Sequence, residues 1–299
     1  MLVGYILSAP KAFVLGPLAI LLLLSRPRSG REWLWIVISV VAAAVVLRLP
    51  ATLTDRTVRA AGAFFTGAFV IVTLMGVRSL VHRTLAAIAA SATLVVGWFV
   101  WLGISWGELQ AAFMADYWAT WRLLSPGLPE SPPVAGEVVT GAAADLALQL
   151  AAALRDASGL MPGMLGVFAL GGGYLAWNWY WRVASTPLGP APLPFRALRF
   201  SDHLVWVLII AAALAMLAGQ TAAGVVGSNL LVLMLALYAG RGLAVIQTAL
   251  LPAPMFFAVL LSITALALLP LALASCVLIG TADTWLDFRR RLAPDEGVP

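Results

Sequence analysis

Cysteine, histidine and charged residues are scarce in this chain of 299 residues. It has one cysteine and two histidines, and only 10% of its residues are charged, against 62% that are hydrophobic. A single cysteine excludes an intrachain disulfide and a cysteine-based metal site, and two histidines without carboxylates at ligand spacing predict no metal site of another kind. A soluble domain carries about 25% charged and 45–50% apolar residues. This composition therefore predicts a protein whose solvent is largely lipid.

Sequence features of catalysis and nucleotide binding are also scarce. There is no His-Glu-x-x-His and no pair of carboxylates within the apolar segments, and we find no nucleophile placed beside a base. We therefore expect no enzyme, no catalytic residue and no cofactor. The basic residues do not form a dense face with interleaved aromatics, so we also expect no nucleic-acid partner.

Eight apolar stretches come close to the roughly 20 residues that a helix needs to cross a bilayer. Their apolar runs are continuous rather than alternating, which favours helices over a closed β-barrel. The predicted fold class is all-α: a polytopic transmembrane helical bundle of about eight membrane segments, forming a single integral membrane domain over 1–299. The predicted segments lie at 3–25, 33–49, 61–79, 84–104, 160–182, 203–219, 228–250 and 255–279.

The longest connection between predicted segments is an acidic extramembrane excursion at 105–159. Six acidic side chains and two arginines give it a local charge of −4. Its first part, through the four prolines of LLSPGLPESPPVAG, is predicted to be loop. Its second part, EVVTGAAADLALQLAAALRDASG, has helical period and predicts an amphipathic helix that either caps a cavity or serves as a solvated connector. The apolar face of that helix carries Val139, Ala142, Leu146, Leu150 and Leu154.

Charge bias predicts the sidedness of the loops in a bacterial plasma membrane. The acidic excursion is expected outside and the basic loops inside. Eight simple crossings then place the basic interfacial tail at 281–299 outside, against that bias. Either the tail departs from the bias, or residues 224–252 enter the membrane and return, reversing at Gly240-Arg241-Gly242. The basic loops are those at 26–32, 78–83 and 182–202.

Arg241 lies near the centre of an otherwise apolar stretch. A charge at the bilayer centre costs roughly 2.5–3.5 kcal/mol on insertion scales, and no Asp or Glu lies inside a predicted segment. One interpretation is that Arg241 binds an anion brought by a ligand, in a pocket among the fifth to seventh segments. The other is that its helix is short or displaced, so that Arg241 reaches an interface. The predicted ligand contacts are Arg241, Asn178, Asn229 and Gln247.

Small residues at helical spacing predict faces on which helices pack closely. Glycine, alanine and serine let two helix backbones approach each other. The triple glycine of the fifth segment is also followed by Asn178, which is expected to hydrogen-bond across helices. The residues predicted to pack in this way are Ser8, Ala12, Gly16, Gly171, Gly172, Gly173, Gly240 and Gly242.

Four motifs follow one another between about 160 and 299: GLMPGMLGVFALGGGYLAWNWYW, LPFRALRFSDHLVW, NLLVLMLALYAGRGLAVIQ and GTADTWLDFRRRL. Together they resemble the YybS-like family of uncharacterised bacterial membrane proteins, a domain of unknown function. That family is distantly similar to the substrate-binding membrane subunits of energy-coupling-factor vitamin transporters. The resemblance implies a helical membrane bundle that binds a small solute. Relatives commonly carry Gln where this chain has Arg241, so it implies no role for that residue.

Two functions therefore remain open at the level of sequence. The first is a solute-binding or transport-related integral membrane protein, which would need energising partner subunits because the chain has no nucleotide-binding motif. The second is a non-transporting membrane scaffold or assembly factor that acts on other membrane proteins through helix packing. A cavity into which Arg241 points favours the first function, and a tightly packed bundle favours the second.

Overall fold

The computed structural model describes residues 2–77, 79–133, 144–219, 221–251 and 254–288, with the side chains of 2–10 and of residue 258 excepted. Apart from one 3₁₀ turn at Phe195–Ala197, the regular elements in these ranges are α-helices, so the predicted all-α fold is confirmed there. The helices are α1 (Leu2–Leu24), α2 (Gly30–Arg48), α3 (Leu53–Leu74), α4 (Leu80–Leu102), α5 (Trp106–Leu124), α6 (Ala144–Gly159), α7 (Met161–Val183), α8 (Leu204–Leu217), α9 (Ala222–Ala249), α10 (Met255–Ala267) and α11 (Leu269–Leu286).

Five of these helices, α2, α3, α4, α9 and α11, are long and apolar enough to cross a membrane. Helices α6 and α7 meet at Leu160 with a bend of 63° and make a sixth candidate if they form one span. The side-chain-described part of α1, together with α8 and α10, adds three shorter apolar helices. Eight is thus an approximate count of membrane segments, and five or six helices meet the criteria of length and composition.

Polar N-cap residues mark the beginning of several of these helices. Ser29, Thr52 and Ser105 each accept a hydrogen bond from the backbone N–H three residues later, and an acidic side chain at that later position bonds back to the cap. Such reciprocal capping boxes satisfy N–H groups that have no partner within the helix. They fix where α2, α3 and α5 begin.

The helices form two compact units, Met1–Pro192 with α1 to α7 and Leu193–Pro299 with α8 to α11. The core of the first unit is rich in aromatic side chains, with Phe13 packed against Phe65 and Trp177 packed against Tyr180. In the second unit, α9 lies between α8 and α11 and contacts both. The single domain over 1–299 stays a prediction.

The acidic excursion contains more helix than the sequence predicts. The loop prediction is wrong for Trp106–Leu124, which form α5, because all four prolines come after Leu124 and a capping box starts the helix at Ser105. The amphipathic helix is present as α6, although its predicted beginning, with Val139 and Ala142, lies outside the described residues.

The buried face of α6 agrees with the predicted one in part, because Leu154 is buried and Leu150 is partly buried against the same cluster. Leu146 is half exposed, whereas Ala147, Ala151 and Leu154 are buried in one cluster with Trp118 of α5. Alanines let the two helices come close enough for the indole ring to fill the space between them. The face that packs therefore carries Leu150 and Leu154 as predicted, with Ala147 and Ala151 in place of Leu146.

Two further boundaries change the topology. Residues 222–249 form one uninterrupted helix, so the proposed reversal at Gly240-Arg241-Gly242 is wrong. The last segment, predicted to end at 279, continues as α11 to Leu286 and stops at Asp287, whose φ of 41° is left-handed. Thr281 to Leu286 are therefore the last turns of α11, and 289–299 lie outside the described residues.

Candidate functional site

Helices α8 and α11 both run antiparallel to α9 and pack along different parts of it. Gly227, near the start of α9, faces Leu214, near the end of α8. Further along α9, Gly242 faces the backbone carbonyl of Cys276, and the carbonyl of Tyr238 faces Gly280 of α11. Because of this arrangement, the beginning of α8 and the end of α11 come together beside the last third of α9.

Arg241 lies at this meeting point and is almost completely buried, with 6% of its surface exposed. Its Nε donates to Oδ2 of Asp283 at 2.9 Å, and its Nη2 donates to the backbone carbonyl of Asp283 at 3.2 Å. Its Nη1 donates to Oδ1 of Asp202 at 2.8 Å. Charge-assisted bonds of this length are strong. The chain itself thus provides two carboxylates for the buried guanidinium.

These two counter-charges are the residues of the candidate site that sequence reasoning missed. No Asp or Glu lies inside a predicted segment, but Asp283 lies in the extended end of α11, beyond the predicted end at 279, and Asp202 lies just before α8. Both residues stand within four positions of a predicted segment end. Acidic residues so close to the end of an apolar run were the available signal, since a helix boundary read from hydropathy is uncertain by a turn.

Around these three residues is a cleft of about 200 Å³ in the second unit. An ion pair between Arg199 and Asp287, 3.1 Å apart, lies at its rim, and both side chains are substantially exposed. Three aspartates and two arginines give the lining a formal charge of −1. The residues that line the cleft are Arg199, Phe200, Asp202, Arg241, Asp283, Thr284 and Asp287.

Aromatic rings support the guanidinium of Arg241 from one side. The Cζ atom of Arg241 is 5.2 Å from the centroid of the Phe200 ring, and Phe200 packs edge-on against Tyr238 at 5.2 Å between centroids. A cation over an aromatic face gains roughly 0.5–1 kcal/mol at an exposed site and more when it is desolvated. The rings and the two carboxylates together hold Arg241 in one orientation.

The other three predicted ligand contacts are not among the residues lining this cleft. Asn229 donates to the carbonyl of Val225 in its own helix at 2.8 Å, and Gln247 is exposed. Asn178 lies in the first unit and donates to Tyr174, again in its own helix, at 2.8 Å. Ligand binding by these three residues stays a prediction.

The small residues of α1 lie against α3. A Cβ atom added at Gly16 would overlap the side chain of Thr66, and one added at Gly62 would come within 3.0 Å of the Cβ of Ala12. The side chain of Ser8 lies outside the described residues. Two helices therefore approach closely at the positions where the small residues of α1 and α3 coincide.

The three consecutive glycines of α7 have different surroundings. A Cβ added at Gly172 would lie 2.9 Å from the backbone oxygen of Phe13, and one added at Gly173 would lie 3.0 Å from the side chain of Thr84. Gly171 is exposed, with open space where its side chain would be. Gly240, in the second unit, has Leu198 at 3.6 Å.

A Gly-x-Ser-x-Gly sequence is present at 103–107, which bears on the expectation that the chain is no enzyme. A hydrolase nucleophile of this pattern stands on a turn from a strand to a helix. Here Ser105 lies between two helices, its hydroxyl accepts the N–H of Glu108, and its own N–H donates to Glu108 at 2.7 Å. Capping of α5 accounts for this serine. Among the described residues, no group of acidic, His or Cys side chains is arranged to hold a metal ion.

The first unit contains a separate buried carboxylate, Glu32, at the start of α2. It accepts backbone N–H groups from Arg28 at 2.7 Å and Ser29 at 2.8 Å, and another from Ser185, just after α7, at 2.7 Å. A carboxylate can accept several such bonds at once. Glu32 thereby ties the turn before α2 to the segment after α7.

Several long apolar helices with few charges define this chain as a helical, multi-pass membrane protein. Residues 143–284 match the family described as "Predicted membrane protein (DUF2232)". That range runs from the residue before α6 into the last turns of α11 and includes Asp202, Arg241 and Asp283. No curated protein and no solved structure matches the chain. The chain is thus similar to a family of membrane proteins of unknown function.

Proposed function

We propose that this protein binds a small polar solute that carries an ammonium group, in the cleft between the start of α8 and the end of α11. The observation that supports this proposal is the convergence of five charged side chains on one cleft, two of them almost completely buried. Ionisable residues at such positions are costly and commonly serve function. Buried ion pairs are in contrast weak contributors to stability, so stability alone is a poor reason to maintain them.

The accessible charges of the cleft favour a cationic group over an anion. All three nitrogens of the Arg241 guanidinium already donate to Asp202 or Asp283. The carboxylates of Asp202 and Asp287 are 63% and 49% exposed. Since the lining carries a net negative charge, an ammonium group is attracted to these oxygens, and a carboxylate on the same solute would compete with Asp287 for Arg199.

The size of the cleft restricts the solute. Pockets for drug-sized ligands measure about 300–1,000 Å³, and this cleft, at about 200 Å³, lies below that range. The solute we propose is accordingly an amine or amino acid of a few heavy atoms rather than a vitamin-sized molecule. This differs from the substrate class that the resemblance to vitamin transporters implies.

In this proposal the protein captures a solute in the bacterial plasma membrane and catalyses no reaction. The resemblance to the substrate-binding subunits of energy-coupling-factor transporters supports a role in uptake. Energising subunits would then be its partners, because the sequence has no phosphate-binding loop of an ATPase.

Mass spectrometry of small molecules released from the purified, washed protein tests this function. We expect an amine to be released from the wild type and its yield to fall at least about tenfold, equivalent to 1.4 kcal/mol, in Asp287→Asn. Asn tolerates the left-handed backbone that Asp287 adopts, so this variant changes the charge and keeps the fold. The yield from Arg199→Gln reports separately on whether the solute carries a carboxylate.

Exposed charges of the first unit provide matched controls for this measurement. Asp156→Asn and Arg122→Gln make the same chemical changes at residues outside the cleft and should release as much amine as the wild type. Absence of any amine from the wild type, or equal yields from Asp287→Asn and Asp156→Asn, would exclude solute binding at this cleft.

Close packing between α9 and α11 supports a second function, that of a membrane scaffold. Gly242 and Gly280 each lie against a backbone carbonyl of the facing helix. The contact leaves no room for a ligand between α9 and α11 at these residues. A scaffold requires only such rigid helix faces. It predicts that no small molecule is released and that cleft variants behave as the controls do.

A further inference from the structure

A second buried arginine, Arg83, lies in the first unit without a counter-charge. Only 2% of its surface is exposed. Its Nε and Nη2 both donate to the carbonyl of Val77, at 3.3 Å and 2.7 Å, while Nη1 is buried and has no hydrogen-bond partner. No carboxylate of the described residues forms an ion pair with it. Arg83 thus differs from Arg241, which pairs with two carboxylates.

The surroundings of Arg83 compensate its charge only in part. Its Cζ atom lies 4.2 Å from the centroid of the Trp177 ring, a close cation–π contact. Such a contact and one carbonyl stabilise a guanidinium without neutralising it, and buried charges are as a rule paired. Nη1 remains a buried hydrogen-bond donor without a partner.

The beginning of α4 adds a second attraction for negative charge. Ser79, at the N-cap, makes no capping hydrogen bond through its side chain, unlike the caps of α2, α3 and α5. The first N–H groups of a helix have no partner within it and carry partial positive charge. Val77 precedes Ser79 by two residues, so the guanidinium bonded to its carbonyl lies beside this helix start.

We propose that Arg83 and the first turn of α4 bind a phosphate group, either that of a lipid headgroup or free inorganic phosphate. Backbone N–H groups and a planar guanidinium are the donors that tetrahedral oxyanions commonly use. Helix α4 is a candidate membrane span, and its first turn is therefore expected at headgroup depth. Since Nη1 is covered, binding must displace neighbouring side chains. The site lies in the first unit and is independent of the proposed solute cleft.

Thermal unfolding in the presence of defined anions tests this site. Protein in dodecyl maltoside, a detergent without phosphate, is titrated with sodium phosphate or, at equal ionic strength, with sodium chloride. Phosphate at a hundred times its dissociation constant should raise the unfolding midpoint by roughly 5 °C, and chloride should not. A parallel sample contains phosphatidylglycerol in mixed micelles with the same detergent and no added phosphate.

The two samples separate the two sources of phosphate. A shift with inorganic phosphate assigns the site to the free anion, and a shift with phosphatidylglycerol alone assigns it to lipid. In either case Arg83→Gln should abolish the shift, whereas Arg122→Gln, at an exposed arginine, should retain it.

Arg83→Lys keeps the result decisive if Arg83→Gln does not fold. Lysine retains the charge but loses the planar fork of donors, so half-maximal stabilisation should need at least about tenfold more phosphate or phosphatidylglycerol. The proposal is overturned if neither source shifts the wild-type midpoint, if Arg83→Gln shifts as the wild type does, or if Arg83→Lys responds at unchanged concentrations.

Discussion

Asp283→Asn is expected to lower the stability of the protein by about 3–5 kcal/mol, because removing one member of a buried ion pair leaves the other charge uncompensated. Asp283 is 2% exposed and bonds Arg241 through both its carboxylate and its backbone oxygen. Asp202, the remaining partner of Arg241, is largely exposed and offsets only part of the loss. The midpoint of thermal unfolding of the protein in detergent, followed by tryptophan fluorescence, measures the effect.

A double variant shows whether this loss comes from the unpaired charge. Arg241→Met combined with Asp283→Leu removes both charges and should be more stable than Asp283→Asn, because replacement of a whole buried pair by apolar side chains is often neutral. Asp156→Asn, an exposed control, should stay within about 0.5 kcal/mol of the wild type. Equal midpoints for Asp283→Asn and Asp156→Asn would show that Arg241 does not depend on Asp283.

Gly242→Ala is expected to produce the second large effect. The added Cβ would overlap the backbone carbonyl of Cys276 in α11, and a backbone atom cannot turn away as a side chain can. Inserting atoms into a packed interface typically costs about 1–3 kcal/mol, occasionally more. We expect a cost at or above the upper end of that range, read as a lower unfolding midpoint.

Gly171→Ala is the matched control for this substitution. Gly171 is also in a helix, but nothing lies within 4 Å of the position of its Cβ. Alanine is better than glycine in a helix by roughly 0.8–1 kcal/mol, so this variant should be as stable as the wild type or more stable. If Gly242→Ala behaved in the same way, α9 and α11 would not be in the close contact described above.

The helical character of the chain is predictable from sequence because lipid imposes it. Long continuous apolar runs leave helices as the simplest way to satisfy backbone groups, and α3, α4 and α9 follow from that rule. Helix α5 does not, because it is amphipathic and adjoins a proline-rich loop that dominates the local composition. Its capping residues, Ser105 and Glu108, were the sequence signal that it begins there.

The candidate site is predictable only in part, for a related reason. Arg241 is conspicuous because its apolar neighbours make its charge costly. Its partner Asp283 is not conspicuous, because hydropathy places the end of the last segment at 279. Packing against α9 extends α11 to Leu286, so that Asp283 belongs to this helix. Asn229 and Asn178 are conspicuous too, but the side-chain amide of each donates to a backbone carbonyl of its own helix. Residue spacing alone does not show that this local hydrogen bond competes with a bond to a ligand or another helix.

An experimental structure of the protein in lipid nanodiscs, purified without removing bound small molecules, tests the central claim most directly. We predict that the Arg241 guanidinium contacts both Asp283 and Asp202 and that density for a small molecule lies in the cleft, against the carboxylates of Asp202 and Asp287. A cleft closed by the protein's own side chains, or an Arg241 side chain directed away from Asp283 toward the lipid headgroups, would contradict it.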